Sequence, residues 1–238
     1  MYHGIGPIGA EDHLGLSLPP DQFLQQLEYL LHHRWRIGPV RELLEQPEHG
    51  VAFAAISFDD ALESQLVAAE ILDAKKIQAT FFAPAGCLGG TLGGKGYWSR
   101  WKCMRTEDLQ RLHRAGHEIG SHGMFHQGPL HRLPDPEARQ ELVRSREFFA
   151  EKFGEPKPGF SYPFGGFSRS LSRQVKEAGY AYGACSRPGP WRNRRLPYSL
   201  PRIEVAGTDS FRRFSDKVRG IGETRRLFRY FFSKILRG

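Results

Sequence analysis

Val51-Ala52-Phe53-Ala54-Ala55-Ile56-Ser57-Phe58-Asp59-Asp60 sets the architecture expected of this chain. From Val51 to Phe58 it is almost continuously apolar, with Gly50 before it and two carboxylates after it. A short run without polar alternation reads as a strand buried on both faces, as in a parallel sheet covered by helices. The surrounding pattern agrees. A helix is expected over residues 22–33, with Phe23, Leu27, Leu30 and Leu31 on one face, and another over 62–75. A strand at 79–83 is closed by Pro84 and Gly86. The glycine-rich run 89–96 lacks the Gly-Lys-Ser/Thr ending of a phosphate-binding loop and reads as a surface loop. Thr106 is expected to cap a helix that carries Asp108 in its first turn and stops at Gly116. Strands follow at 117–121, 160–164, 180–184 and 198–205, with helices at 136–153 and 168–178 between them. Strand–helix units of roughly 35 residues imply parallel strands joined by crossover helices. One α/β barrel-like domain over residues 1–210 accounts for them.

The whole chain, 238 residues, is ordinary for such a domain. A hydrophobic content of 39% fits a folded protein. The formal charge of +8 is uneven: from Arg212 onward nine residues are Lys or Arg, and only Asp216 and Glu223 are acidic. Residues 211–238 therefore form a basic segment. Within it Leu227, Phe228, Phe231, Phe232, Ile235 and Leu236 alternate with cations in the manner of an amphipathic helix. Such a helix fits either peripheral contact with an anionic membrane or packing against the barrel. No nucleic-acid reading motif accompanies the charge, so no nucleic-acid partner is expected. Cys87, Cys103 and Cys185 are odd in number and include no C-x-x-C pair, which gives no disulfide framework and favours a reducing compartment. Met1-Tyr2-His3-Gly4 does not resemble a secretory leader, and no run of about 18 apolar residues occurs. A cytoplasmic location, peripheral to the membrane if the basic segment touches lipid, is the expectation.

The chemistry lies at the expected strand ends. Asp59 and Asp60 close one strand; His122 and His126, in Ser121-His122-Gly123-Met124-Phe125-His126, follow another. One carboxylate with two neutral imidazoles is a ligand set for a hydrolytic divalent metal, and the second carboxylate is then available as a base. Adjacent residues of a strand point to opposite sides, yet at a strand-to-loop turn both can reach one cavity. Each motif has a plainer alternative: an Asp before Ala61-Leu62-Glu63 can cap the next helix, and paired histidines can be core or surface residues. Their joint placement at the carboxyl ends of parallel strands, where barrel enzymes keep their catalytic groups, favours the site.

In this order the residues resemble the polysaccharide deacetylases, carbohydrate esterases of family 4 with the NodB-homology domain. Ser57-Phe58-Asp59-Asp60-Ala61 stands for the family's T-F-D-D-G, His122 to His126 for its H-[ST]-x-x-H, and Ser161-Tyr162-Pro163-Phe164 for its R-x-P-[YF]. Ala79-Thr80-Phe81-Phe82 and the opening Tyr2-His3 fit one branch. The resemblance implies a distorted (β/α) barrel holding a divalent metal, usually zinc, with cobalt, nickel or manganese as alternatives. It implies Asp59 as general base, Asp60, His122 and His126 as ligands, the Phe164 backbone N–H as oxyanion donor, and Tyr162 and Pro163 against substrate. The implied reaction removes N-acetyl groups from an amino sugar, in a polymer or on a lipid carrier. That would suit glycan biosynthesis at the cell envelope.

Four departures stand out. Ala61 replaces a glycine, and Gly123 replaces a Ser or Thr. Ser161 replaces the arginine that orients the base, and Arg202, in Pro201-Arg202-Ile203-Glu204, is the candidate to supply that charge. The family's late leucine–histidine motif is missing, since no histidine follows His131. His3 is then the candidate acid. Without an acid, the alternatives are a carbohydrate-binding relative that lost turnover, or an O-acetyl esterase, whose leaving group needs less protonation.

Overall fold

The computed structural model describes residues 1–7, 12–45, 52–93, 100–187 and 197–220. Residues 221–238 of the basic segment lie outside the described residues. Among those described, the elements run in a β/α succession. It begins β1 (Gly4–Ile5), β2 (Ser17–Leu18), α1 (Pro20–His32), β3 (Arg36–Gly38) and α2 (Val40–Glu45). It continues β4 (Phe53–Ala55), β5 (Ser57–Phe58), α3 (Gln65–Ala74), β6 (Thr80–Ala83), α4 (Thr106–Arg114) and β7 (Glu118–Ser121). It ends α5 (Asp135–Phe153), β8 (Gly159–Ser161), α6 (Arg169–Glu177), β9 (Tyr182–Ala184) and α7 (Phe211–Val218).

Strands β5 to β9 form a five-stranded parallel sheet in sequence order. Parallel pairs β1–β2 and β3–β4 continue the curl, joined to it by a Tyr2–Phe58 bridge and by the Ile56 N–H donating to the Gly38 carbonyl. The result is a parallel sheet curled into a half-barrel with helices outside, the expected distorted (β/α) barrel.

The core explains the curl. Phe58 stacks on Phe81 with ring centres 4.8 Å apart and on Tyr2 at 5.6 Å, and Phe23 of α1 closes the group at 5.7 Å from Phe58. All are buried, each stabilising the fold by about 1.5–3 kcal/mol relative to exposure. Thr80, Glu118 and Tyr182 form a buried polar cross-link beneath them: Glu118 accepts from Thr80 Oγ1 at 2.7 Å and from Tyr182 Oη at 2.9 Å.

Several expectations change. The apolar run 51–58 is two strands, because β4 pairs with β3 while β5 pairs with β6, and the chain changes partner at Ile56. The strand expected over 160–164 ends at Ser161: Pro163 has no N–H to give a ladder, and Phe164 is left-handed at φ 57°. Residues 198–205 contribute only a bridge between Leu200 and Ala184, with a 3₁₀ turn at Pro197–Ser199. Thr106 is the first helical residue and not the cap; Asp108 instead accepts the Arg105 N–H at 3.0 Å. The three cysteines are buried and unbridged.

Candidate active site

The carboxyl ends of the strands converge on a cleft of about 260 Å³, lined by His3, Asp59, Asp60, His122, His126 and Phe164 among others. Asp59 and Asp60 leave β5 into a backbone turn: Asp60 has φ 76° and Ala61 φ 48°. Left-handed conformations cost a non-glycine residue about 1–3 kcal/mol and persist where the surrounding structure imposes them. Here the turn rotates both carboxylates into one cavity. His126 (φ 49°) and Phe164 (φ 57°) share that conformation on the opposite wall, their rings stacked 4.4 Å apart.

Asp59 is the most tightly held group. Arg202 forks onto it, donating Nη1–H to Oδ1 and Nη2–H to Oδ2, both at 2.7 Å. Ser161 Oγ donates to Oδ2 at 3.0 Å while accepting from Arg202 Nη2 at 2.8 Å. Arg202 also donates to the Cys185 carbonyl at 3.3 Å and lies 5.6 Å from the Phe82 ring centre. Burial alone would push the Asp59 carboxyl up; the Arg202 and His122 charges and the Arg202 hydrogen bonds outweigh it and hold the group well below the usual carboxylate range. Ser161, the departure at the third motif, is thus the link between the Asp59 carboxylate and the guanidinium. The sequence marked the position but not that role.

Asp60, His122 and His126 offer one ligand atom each, all within 4.8 Å of one another. Asp60 Oδ1 is 3.3 Å from His122 Nε2 and 3.3 Å from His126 Nε2. It is buried, and among the described residues no donor bonds it. His122 Nδ1 lies 2.9 Å from the Ser161 carbonyl, an acceptor, so that nitrogen carries the proton and Nε2 presents a lone pair. A lone pair facing a buried carboxylate oxygen at 3.3 Å calls for a cation or a proton between them. Burial lowers His122, but the negative charges of Asp59 and Asp60 outweigh it, and the net shift is upward. Burial, aided by the His122 charge, lowers His126 to about 4 despite the opposing Asp60 charge, so it stays neutral near pH 7. One carboxylate oxygen and two imidazole nitrogens with room left over is the donor set of a catalytic zinc site. The residues present fit a divalent metal.

His3 stands on the same cleft, and among the described residues its buried Nδ1 has no hydrogen-bond partner. Tyr162 does not face substrate space: it is wholly buried in the second core cluster, and its hydroxyl donates to the Tyr198 carbonyl at 2.8 Å. Pro163 is buried, its ring packing towards Gly123. Both therefore shape the cleft wall from behind.

The family model described as polysaccharide deacetylase matches residues 47–183, more than half of the chain. No curated protein matches it in sequence. Among solved structures, the Streptococcus pyogenes deacetylase PplD, in complex with acetate, is 18% identical with a TM-score of 0.76, over 92% of this chain and 96% of that one. IcaB from Ammonifex degensii is 20% identical with a TM-score of 0.75, over 92% and 94%. BC0361, a polysaccharide deacetylase from Bacillus cereus, is 18% identical with a TM-score of 0.74, over 92% and 67%. At these identities the likeness carries the fold, and the motif-bearing match carries the rest: the chain belongs to the polysaccharide deacetylase family.

Proposed function

We propose that this protein is a metal-dependent hydrolase that removes N-acetyl groups from an N-acetylated amino sugar, in a polysaccharide or on a lipid-linked glycan. Family membership carries carbohydrate deacetylation. The finer reading rests on one observation: the Asp60–His122–His126 donor set shares a cleft with an ionised, immobilised Asp59.

A divalent cation held by Asp60, His122 and His126, zinc first, would supply Lewis acidity toward the acetyl carbonyl and a lowered pKa for water. Asp59 is the base. Held ionised by Arg202 and fixed by Ser161, it accepts the proton of the water that adds to the acetyl carbon. Phe164 lines the cleft, and its backbone N–H serves the developing oxyanion. When the C–N bond breaks, the departing nitrogen takes a proton from His3. The products are acetate and a free sugar amine. Cytoplasmic location and peripheral membrane contact through the basic C-terminal segment belong to the same proposal and are supported by the sequence pattern.

The test is acetate release from N-acetylglucosamine oligomers and lipid-linked N-acetylglucosamine with added zinc or cobalt, comparing the wild type with Asp59→Asn. Metal-dependent release that disappears in the variant is the expected result. Metal binding without acetate from any of these substrates would sink it in favour of a binding relative.

A further inference from the structure

Residues 123–125 separate the two imidazoles of the site, and the backbone on either side is unusual: Gly123 has φ 81° and His126 φ 49°. Protein groups hold this loop from both sides. The Gly123 and Met124 carbonyls accept from the N–H groups of Ala85 and Gly86 at 3.1 and 2.7 Å. The Phe125 carbonyl lies 3.6 Å from the Cys87 thiol. Opposite them, the N–H groups of Met124 and Phe125 converge on one oxygen, Glu141 Oε2, at 2.8 and 3.3 Å. Glu141 stands on α5, which is rooted in the core by fully buried Leu142 and Phe149. The Phe125 ring occupies the space that Gly86 leaves, where a Cβ would approach it to 2.5 Å. The Arg144 guanidinium covers that ring at 5.5 Å. Glu141 is thus a side-chain strut between a rigid helix and the segment that sets the spacing of His122 and His126.

We propose that Glu141 is a positioning residue for the metal centre: its carboxylate holds residues 123–125 in the shape that aims both imidazoles at Asp60. The inference rests on the metal reading above. What the loop needs is an acceptor oxygen at the right reach, so the charge is secondary. Groups that orient metal ligands typically change affinity by about 10–100-fold when removed.

Zinc affinity, measured by competition with a chromophoric chelator, is compared for the wild type, Glu141→Ala and Glu141→Gln. Amide hydrogen exchange of Met124 and Phe125 is followed in the metal-free proteins. The expected result is affinity weakened by about 10–100-fold in Glu141→Ala, with faster exchange at those two amides, and both effects largely restored in Glu141→Gln. A general structural role would not be rescued selectively at these amides. If Glu141→Ala does not fold, Glu141→Asp replaces it: the carboxylate is one methylene short, and weaker zinc binding with faster exchange is again expected. Unchanged affinity and exchange in the folded variant overturn the proposal. If the wild type itself binds no zinc, the functional reading fails, and the exchange comparison still decides whether Glu141 holds the loop.

Discussion

Replacing Arg202 by methionine keeps most of the apolar stem and removes the guanidinium. The cost follows from its surroundings. Arg202 is 8% exposed and Asp59 2%, and two bonds of 2.7 Å join them. An exposed pair would contribute about 0–1 kcal/mol. Breaking a buried pair from one side leaves an uncompensated charge and costs about 3–5 kcal/mol. The upper half of that range is expected, because Ser161 Oγ and the Cys185 carbonyl lose their Arg202 donors as well. Asp59→Asn/Arg202→Met should recover much of the loss, with a coupling near the top of the range for groups in contact, about 3 kcal/mol. Burial without the guanidinium pushes the Asp59 carboxyl up, so the variant binds a proton more readily and its deficit shrinks as pH falls. The assay is urea unfolding of the four proteins in chelator at neutral pH, repeated at lower pH. A single-variant cost below about 1 kcal/mol, or additive losses, would refute the idea that this pair is a buried and mutually dependent unit.

Three further outcomes follow from the same geometry. His3→Gln should slow amide hydrolysis by about 10²–10⁴-fold and hydrolysis of an O-acetyl ester much less; equal slowing of both, in steady-state kinetics, would remove His3 as the acid. Gly120→Ala places a Cβ 2.6 Å from the Phe82 ring and 3.0 Å from the Gly159 carbonyl, so an overpacking loss of about 1–3 kcal/mol is expected in urea melts. His117 accepts the Ala79 N–H at Nδ1 and lies 3.0 Å from Asp73 at Nε2; burial lowers it despite Asp73. Its folded value lies below its unfolded value, so its contribution is complete above about pH 6.5 and is lost as pH falls toward the folded value. His117→Gln should flatten that part of the stability profile, and an unchanged slope would contradict the assignment.

The residues of the candidate site stand out in the sequence more plainly than the strand boundaries around them. Asp59, Asp60, His122 and His126 could be picked out because a metal needs particular donors and a barrel puts them at strand ends. Arg202 was visible as a compensating charge, and the structure places it on Asp59. Other features depended on partners far away in sequence. Nothing in residues 51–58 says that the chain changes partner strand at Ile56. Tyr162 sits in a motif, yet its ring is wholly buried and its hydroxyl donates to the Tyr198 carbonyl. Glu141 has no motif at all. Its one signal is an acidic residue beside the buried stripe of Ala138, Leu142 and Ser145 on α5.

The proposed deacetylation depends on an ion held by Asp60, His122 and His126. Acetate release from N-acetylglucosamine oligomers by metal-stripped protein, before and after zinc is restored, tests it most directly. Expected are no release from the stripped protein, recovery with one equivalent of zinc, and neither tight zinc binding nor recovery in His122→Ala. Undiminished release from the stripped protein, or full recovery in His122→Ala, would contradict it.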